Sequence, residues 1–236
     1  MSLTMGRGPL SVDPAGRFEP ALPSGVVYVE PFLRRVRARI GERTVIDSER
    51  VLLVHRMGQP PRYAFPAAAV SSEVASTPEP AAAGYLSVKW DAVASWYEED
   101  EQVFGHARNP YHRIDCVRSQ RQLKARTRGI VLVDTRDVVS LFETASAPRL
   151  YVEKRHVRME HLVASATTSY CPYKGYASYW SAQVQGELVP DIAWSYEDPT
   201  PESRRIAGLL SFYPERAEVE QDIVTWFEAP NPAQDG

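Results

Sequence analysis

The sequence predicts a mainly β protein made of two tandem, related antiparallel β domains with few short helices. Three observations carry that expectation. From Val26 onward apolar residues come in short β-branched runs broken by Arg, Gly, Asp and Ser, the pattern of strands. The chain matches itself at a constant offset, as internal repeats do. A single short stretch, Asp198 to Gly208, has helix start and stop signals, with Thr200 at the cap, Pro201 in the first helical position and Gly208 near the end.

Size and composition fit this reading. The 236 residues leave room for two domains of about 100 residues, each able to bury a core without disulfides. Hydrophobic content of 44% with 24% charged residues is that of a soluble globular chain. A net charge of −3 lacks the basic footprint of phosphate-backbone binding, so nucleic acid is not expected as a partner. Two cysteines, Cys116 and Cys171, are too few for a disulfide framework and predict a reducing, cytoplasmic setting. No apolar run reaches the roughly 18 residues of a membrane span, and Met1 to Pro20 carries Gly, Pro and Asp where a signal peptide needs continuous apolar residues.

Taken in order, residues 1–24 hold Gly6, Gly8, Pro9, Pro14, Gly16, Pro20 and Pro23, which predicts an extended arm with Leu10, Phe18 and Leu22 as apolar handholds. Residues 25–115 form a first copy, 116–228 a second, and 229–236, opening on Ala229-Pro230-Asn231-Pro232, a tail. The repeat runs from Arg37-Ala38-Arg39 against Lys124-Ala125-Arg126, through Val45-Ile46-Asp47-Ser48 against Leu132-Val133-Asp134-Thr135, to Val70 against Val157. Its offset is 134 − 47 = 87 throughout. Asp followed by Ser or Thr suits a turn, because short oxygen side chains bond amides two residues on.

Beyond the matched part the copies diverge. Ser71 to Gly84 is rich in Ala, Pro and Ser and reads as a loop, so the first copy is degenerate. A Trp-Tyr-acid cluster, Trp96 to Asp100, recurs in the second copy as Trp194 to Asp198. The second copy alone carries Cys171-Pro172-Tyr173-Lys174-Gly175, a turn that enters an aromatic-rich strand, Tyr176 to Gln185. Gly186 is expected to turn that strand into a hairpin with Leu188 to Tyr196.

This Cys-Pro-Tyr-Lys-Gly turn, with Tyr176-Ala177-Ser178-Tyr179-Trp180, Ala193-Trp194-Ser195-Tyr196-Glu197-Asp198-Pro199 and Ile206-Ala207-Gly208-Leu209-Leu210-Ser211-Phe212-Tyr213, resembles the bacterial family called domain of unknown function 427. The resemblance covers the second copy, from about 120 to 220, and part of the first. It implies a fold of the Mss4-like, β-tent group. The family profile also carries a nucleotidyltransferase-like label, but no Gly-Ser plus paired-Asp signature for a metal and triphosphate stands in this sequence.

The turn concentrates the candidate chemistry. Lys174 with Gly175 suits a ligand's anionic group, glycine permitting close backbone approach and the ammonium supplying charge. Tyr173, Tyr179, Trp180, Trp194 and Tyr196 are candidate pocket walls, and Trp180 and Trp194 are expected to be neighbours on paired strands. The expected activity is therefore binding of a small anionic, aromatic or nucleotide-like ligand, without a cofactor. A thiol-dependent enzyme using Cys171 as nucleophile is the alternative, since a nearby cation activates a thiol. A third reading gives the degenerate copy an interaction or homo-oligomer surface. His156 and His161, and His106 and His112, lack zinc spacing, so no metal is expected. The basic stretches Arg34 to Arg39 and Arg118 to Arg128 read as solvated strand faces.

Overall fold

The computed structural model describes residues 3–222, and the expected tail at 229–236 lies outside them. The fold is mainly β, in antiparallel sheets with a few short 3-10 helices. The chain divides into two compact units, one ending at His112 and the other beginning at Arg113.

In the first unit the strands are β1 (Val27–Phe32), β2 (Val36–Ile40), β3 (Arg43–Ser48), β4 (Val51–Arg56), β5 (Arg62–Pro66), β6 (Ser76–Pro78), β7 (Tyr85–Val88), β8 (Ser95–Glu98) and β9 (Glu101–Val103). They form one sheet of order β1-β4-β5-β7-β6 and another of order β3-β2-β8-β9. Between these lies a core of Val36, Ile46, Leu53, Phe65 and Trp96 with their neighbours.

The second unit contains β10 (Ile114–Ser119), β11 (Leu123–Thr127), β12 (Ile130–Thr135), β13 (Val138–Glu143), β14 (Arg149–Tyr151), β15 (Leu162–Cys171), β16 (Gly175–Val184), β17 (Glu187–Ser195), β18 (Leu210–Phe212) and β19 (Glu218–Gln221). Its sheets have the orders β10-β13-β14, β12-β11-β19 and β15-β16-β17-β18. One core cluster gathers Leu123, Leu132, Ile192, Leu210 and Phe212, and a second gathers Cys116, Leu141, Tyr151, Trp194 and Ile206.

Each strand from β1 to β5 begins 87 residues before its counterpart from β10 to β14. The pairings keep that spacing: Val27↔Arg56 beside Ile114↔Glu143, and the lone bridge Ile46↔Val70 beside Val133↔Val157. Even the register shift at Ala38/Arg39 recurs at Ala125/Arg126. Past this point the offset changes. Phe65 pairs Leu86, while Val152, 87 positions after Phe65, bridges Leu210, so β7 corresponds to β18 at 210 − 86 = 124. The second unit is therefore longer by 37 residues here, and the hairpins of β15, β16 and β17 occupy the addition.

This geometry corrects two expectations. Ala38 pairs Trp96 and Ala125 pairs Val219, so the counterpart of Trp96 is Val219, and the resemblance of Trp96–Asp100 to Trp194–Asp198 is local composition only. Polar groups help to hold the arm: Thr4 donates its hydroxyl to the Gln59 carbonyl and accepts from Gly58 N–H at 2.8 Å, and of the expected apolar handholds Leu10 is half-buried while Phe18 and Leu22 stay exposed. Gly186 does turn the β16–β17 hairpin, with Gln185 at φ 51 and Gly186 at φ 78, the positive pair that a two-residue type I′ turn requires. The helix signal at 201 yields a 3-10 helix, Pro201–Ile206.

Candidate functional site

The Cys171 turn caps the β15–β16 hairpin. Cys171 pairs Gly175, and Lys174 N–H donates to the Cys171 carbonyl at 3.2 Å. Gly175 has φ +91, and a Cβ there would lie 3.4 Å from the Asp198 carbonyl oxygen. Glycine is thus required by the left-handed backbone, while the chain after β17 lies at ordinary contact distance. The turn is clamped to that segment by hydrogen bonds: Thr200 N–H donates to the Lys174 carbonyl at 3.3 Å, and the Thr200 hydroxyl to the Tyr173 carbonyl at 2.5 Å. Thr200 makes no side-chain cap bond to its own helix, its hydroxyl being engaged by the turn.

Lys174 does not present its ammonium to a ligand. The residue is buried, and its Nζ donates to Glu143 Oε2 at 2.6 Å, the two side chains being 10% and 14% exposed. An ion pair this enclosed is hard to open, because either partner alone would remain as an uncompensated buried charge. Lys174 and Gly175 therefore position the hairpin. Cys171 is half-buried against the cluster that includes Tyr196 and Trp194. Burial, and next the carboxylate of Asp115, push the Cys116 thiol up.

The aromatic candidates separate onto two faces. On β16 and β17, Tyr179 pairs Trp194, whereas Trp180 pairs Ala193. Side chains alternate between faces along a strand, so Trp180 and Trp194 point away from each other although their strands are partners. Trp180 donates to the Ser195 hydroxyl at 3.2 Å and lies under the Lys154 ammonium at 5.1 Å. Trp194 is buried and donates to the Tyr151 hydroxyl at 3.0 Å, with the Arg149 guanidinium over its ring at 5.7 Å. Tyr196 is a core residue, its hydroxyl held protonated chiefly by burial. Tyr173 packs at the edge of the same cluster. Tyr179 reaches solvent, stacked against Tyr213 at 6.3 Å beside a recess of about 320 Å³ that also meets Thr167, Asp191, Glu215 and Arg216.

A cleft that sequence reading passed over lies elsewhere on this unit. Two adjoining hollows of about 540 and 250 Å³ share Arg118 and Asp137. Arg136 lines the first, and Arg205, Val139, Tyr151 and Leu209 line the second. Arg136 donates to the Gln120 carbonyl at 3.2 Å and Arg205 to the Cys116 carbonyl at 2.9 Å. Among the described residues none of Arg118, Arg136 and Arg205 has a carboxylate partner. The acids at the rim are already engaged: Asp137 meets Arg155 and His156, each at 3.3 Å, and Glu153 meets Arg155 at 2.8 Å. Arg205 stands on the 3-10 helix whose first turn is tied to Tyr173, so the Cys171 turn helps to place it.

Residues 115–223 match the family model described as a domain of unknown function (DUF427). These residues form a DUF427 domain. The Cys171 turn, the Lys174–Glu143 pair and the three-arginine cleft all fall within the DUF427 match, and the first unit lies before it. No curated protein matches the chain. Among the described residues no group of three or more His, Cys, Asp or Glu side chains converges to hold a metal, and no helix is long and apolar enough to cross a membrane.

Arg118, Arg136 and Arg205 escaped sequence reading because they come from β10, the β12–β13 turn and the 3-10 helix. The rest of the basic stretch after Arg118 is neutralised, Arg121 by Asp222, Lys124 by Asp134, Arg126 by Glu218 and Arg128 by Glu187. Only that exception, invisible without strand pairing, could have marked Arg118.

Proposed function

We propose that the DUF427 domain is a binding domain for a small anionic molecule of the phosphate-bearing class, held in the cleft of Arg118, Arg136 and Arg205. The observation that carries this reading is the set of three guanidiniums around adjoining hollows that have no carboxylate partner among the described residues. Guanidinium forks suit phosphate oxygens, and the apolar floor of Val139 and Leu209 suits a non-polar remainder. The turn expected to bind the ligand serves instead to hold the 3-10 helix that carries Arg205.

The shared 87-residue spacing of strands and bridges supports reading the chain as two copies of one domain, of which the second took on this site. The free thiols of Cys116 and Cys171 support a reducing, cytoplasmic setting.

Thermal unfolding with inorganic phosphate, pyrophosphate and adenosine monophosphate tests the function. A ligand at 100 times its Kd stabilises by about 2.7 kcal/mol, a rise of several degrees in Tm for a domain of this size. Arg118→Ala and Arg205→Ala should each remove the response. A flat response to all three probes, or one that survives both substitutions, rejects the proposal.

A further inference from the structure

We infer that the first unit carries a binding site of its own, for an aromatic carboxylate of one or two fused rings. A pocket of about 280 Å³ opens between Pro60, Tyr63, Lys89, Trp90, Trp96 and Arg62. Trp90 lies over Trp96 with ring centres 5.2 Å apart and planes 23° apart, and Trp96 donates its indole N–H to the Trp90 carbonyl at 2.9 Å. Tyr63 closes the group at 5.6 Å from Trp96 and 6.2 Å from Trp90. Its hydroxyl donates to Glu98 Oε1 at 2.5 Å, and Arg34 holds the other carboxylate oxygen. Tyr63 and Trp96 are core residues that hold Trp90 from behind, and Trp90 alone of the three is partly exposed, so a ring docking on it orders little that is mobile.

Size sets the ligand. An apolar cavity of about 150 Å³ accepts benzene, so this pocket has room for a bicyclic ring system and little more. Charge sets the rest. Aromatic walls alone would favour a cation as readily as a neutral ring, but the rim carries Arg62 and Lys89, neither with a carboxylate partner among the described residues, against the single acid Asp91. Two cations to one anion select a ligand that bears a carboxylate.

The pocket belongs to the first unit alone. At the strand positions of Tyr63 and Trp96 the second unit has Leu150 and Val219, which pack into a mostly aliphatic core. The first unit lacks the Cys171 hairpins and holds a different concentration of rings, so the difference between the units reads as a difference of ligand.

Isothermal titration of the whole chain with indole-3-carboxylate and with neutral indole tests this. One equivalent of the carboxylate should bind, at least tenfold tighter than indole. Trp90→Ala should weaken the carboxylate at least tenfold, and Arg62→Ala with Lys89→Ala should erase the preference over indole. Should Trp90→Ala fail to fold by circular dichroism, the exposed double variant decides alone. No heat at millimolar ligand, equal affinity for the two probes, or binding that the double variant leaves unchanged overturns the inference; loss on Arg118→Ala instead would assign the carboxylate to the other cleft and overturn it too.

Discussion

Replacing Lys174 by Met leaves the Glu143 carboxylate enclosed with its cation gone. At 2.6 Å and an effective dielectric of about 20, the gross attraction of the pair is roughly 6 kcal/mol, offset by the desolvation of both groups. Breaking such a pair from one side costs about 3–5 kcal/mol, well above the 0–1 kcal/mol of an exposed ion pair. Urea unfolding followed by tryptophan fluorescence should show that loss in the second unit, where Trp180 and Trp194 report. The double change Lys174→Met with Glu143→Leu removes both charges and should recover most of it, since a buried pair replaced by apolar groups is often neutral. A single substitution costing under about 1 kcal/mol, or a double variant as unstable as the single, refutes the assignment of Lys174 to the frame of the hairpin.

Gly175→Ala puts a side chain on a backbone with φ +91, so it should destabilise by about 1 kcal/mol or more, read as a lower urea midpoint with unchanged slope. His55 is fully buried, and burial lowers its pKa although its Nε2 bonds Glu30 at 2.9 Å. The unfolded chain then binds the proton first, so the first unit should lose stability as pH falls through about 6.5; His55→Gln should flatten that slope in melts from pH 7.5 to 5, and an unaltered slope counts against it. Iodoacetamide at neutral pH should modify half-buried Cys171 before Cys116, whose thiol is buried and raised, as peptide mass spectrometry of timed samples would record; equal rates would contradict the difference in burial.

The framework was legible because it is written locally. β-branched runs, Asp-Ser and Asp-Thr turns and an unbroken offset of 87 each name a strand or its boundary without knowledge of tertiary contacts. The site was legible in part. Sequence marked the Cys171 turn as the feature peculiar to one unit, and Gly175 as a position suited to glycine, but it gave close approach of a ligand as the reason when the turn's positive φ supplies it. Lys174 looked free because Glu143 lies 31 residues earlier on β13. Trp180 and Trp194 looked adjacent because strand partnership was readable while register was not, and a one-residue difference in pairing decides which face a ring occupies. The arginine cleft and the Trp90–Trp96 pocket are assembled from segments distant in sequence, and no local signal marks either.

Phe65 and Leu86 are paired neighbours in the first unit, and Val152 and Leu210 are bridged in the second. The segments between them span 86 − 65 = 21 and 210 − 152 = 58 positions. Because both ends of the segment are pinned side by side, lengthening it adds only about (3/2)RT ln(58/21), or roughly 0.9 kcal/mol, of closure entropy. A single long hairpin recovers far more than that in backbone hydrogen bonds and buried surface. This point is therefore a growth point, where evolution or an engineer can insert or trim whole hairpins, and with them new recognition surfaces, while the strands on either side keep their partners.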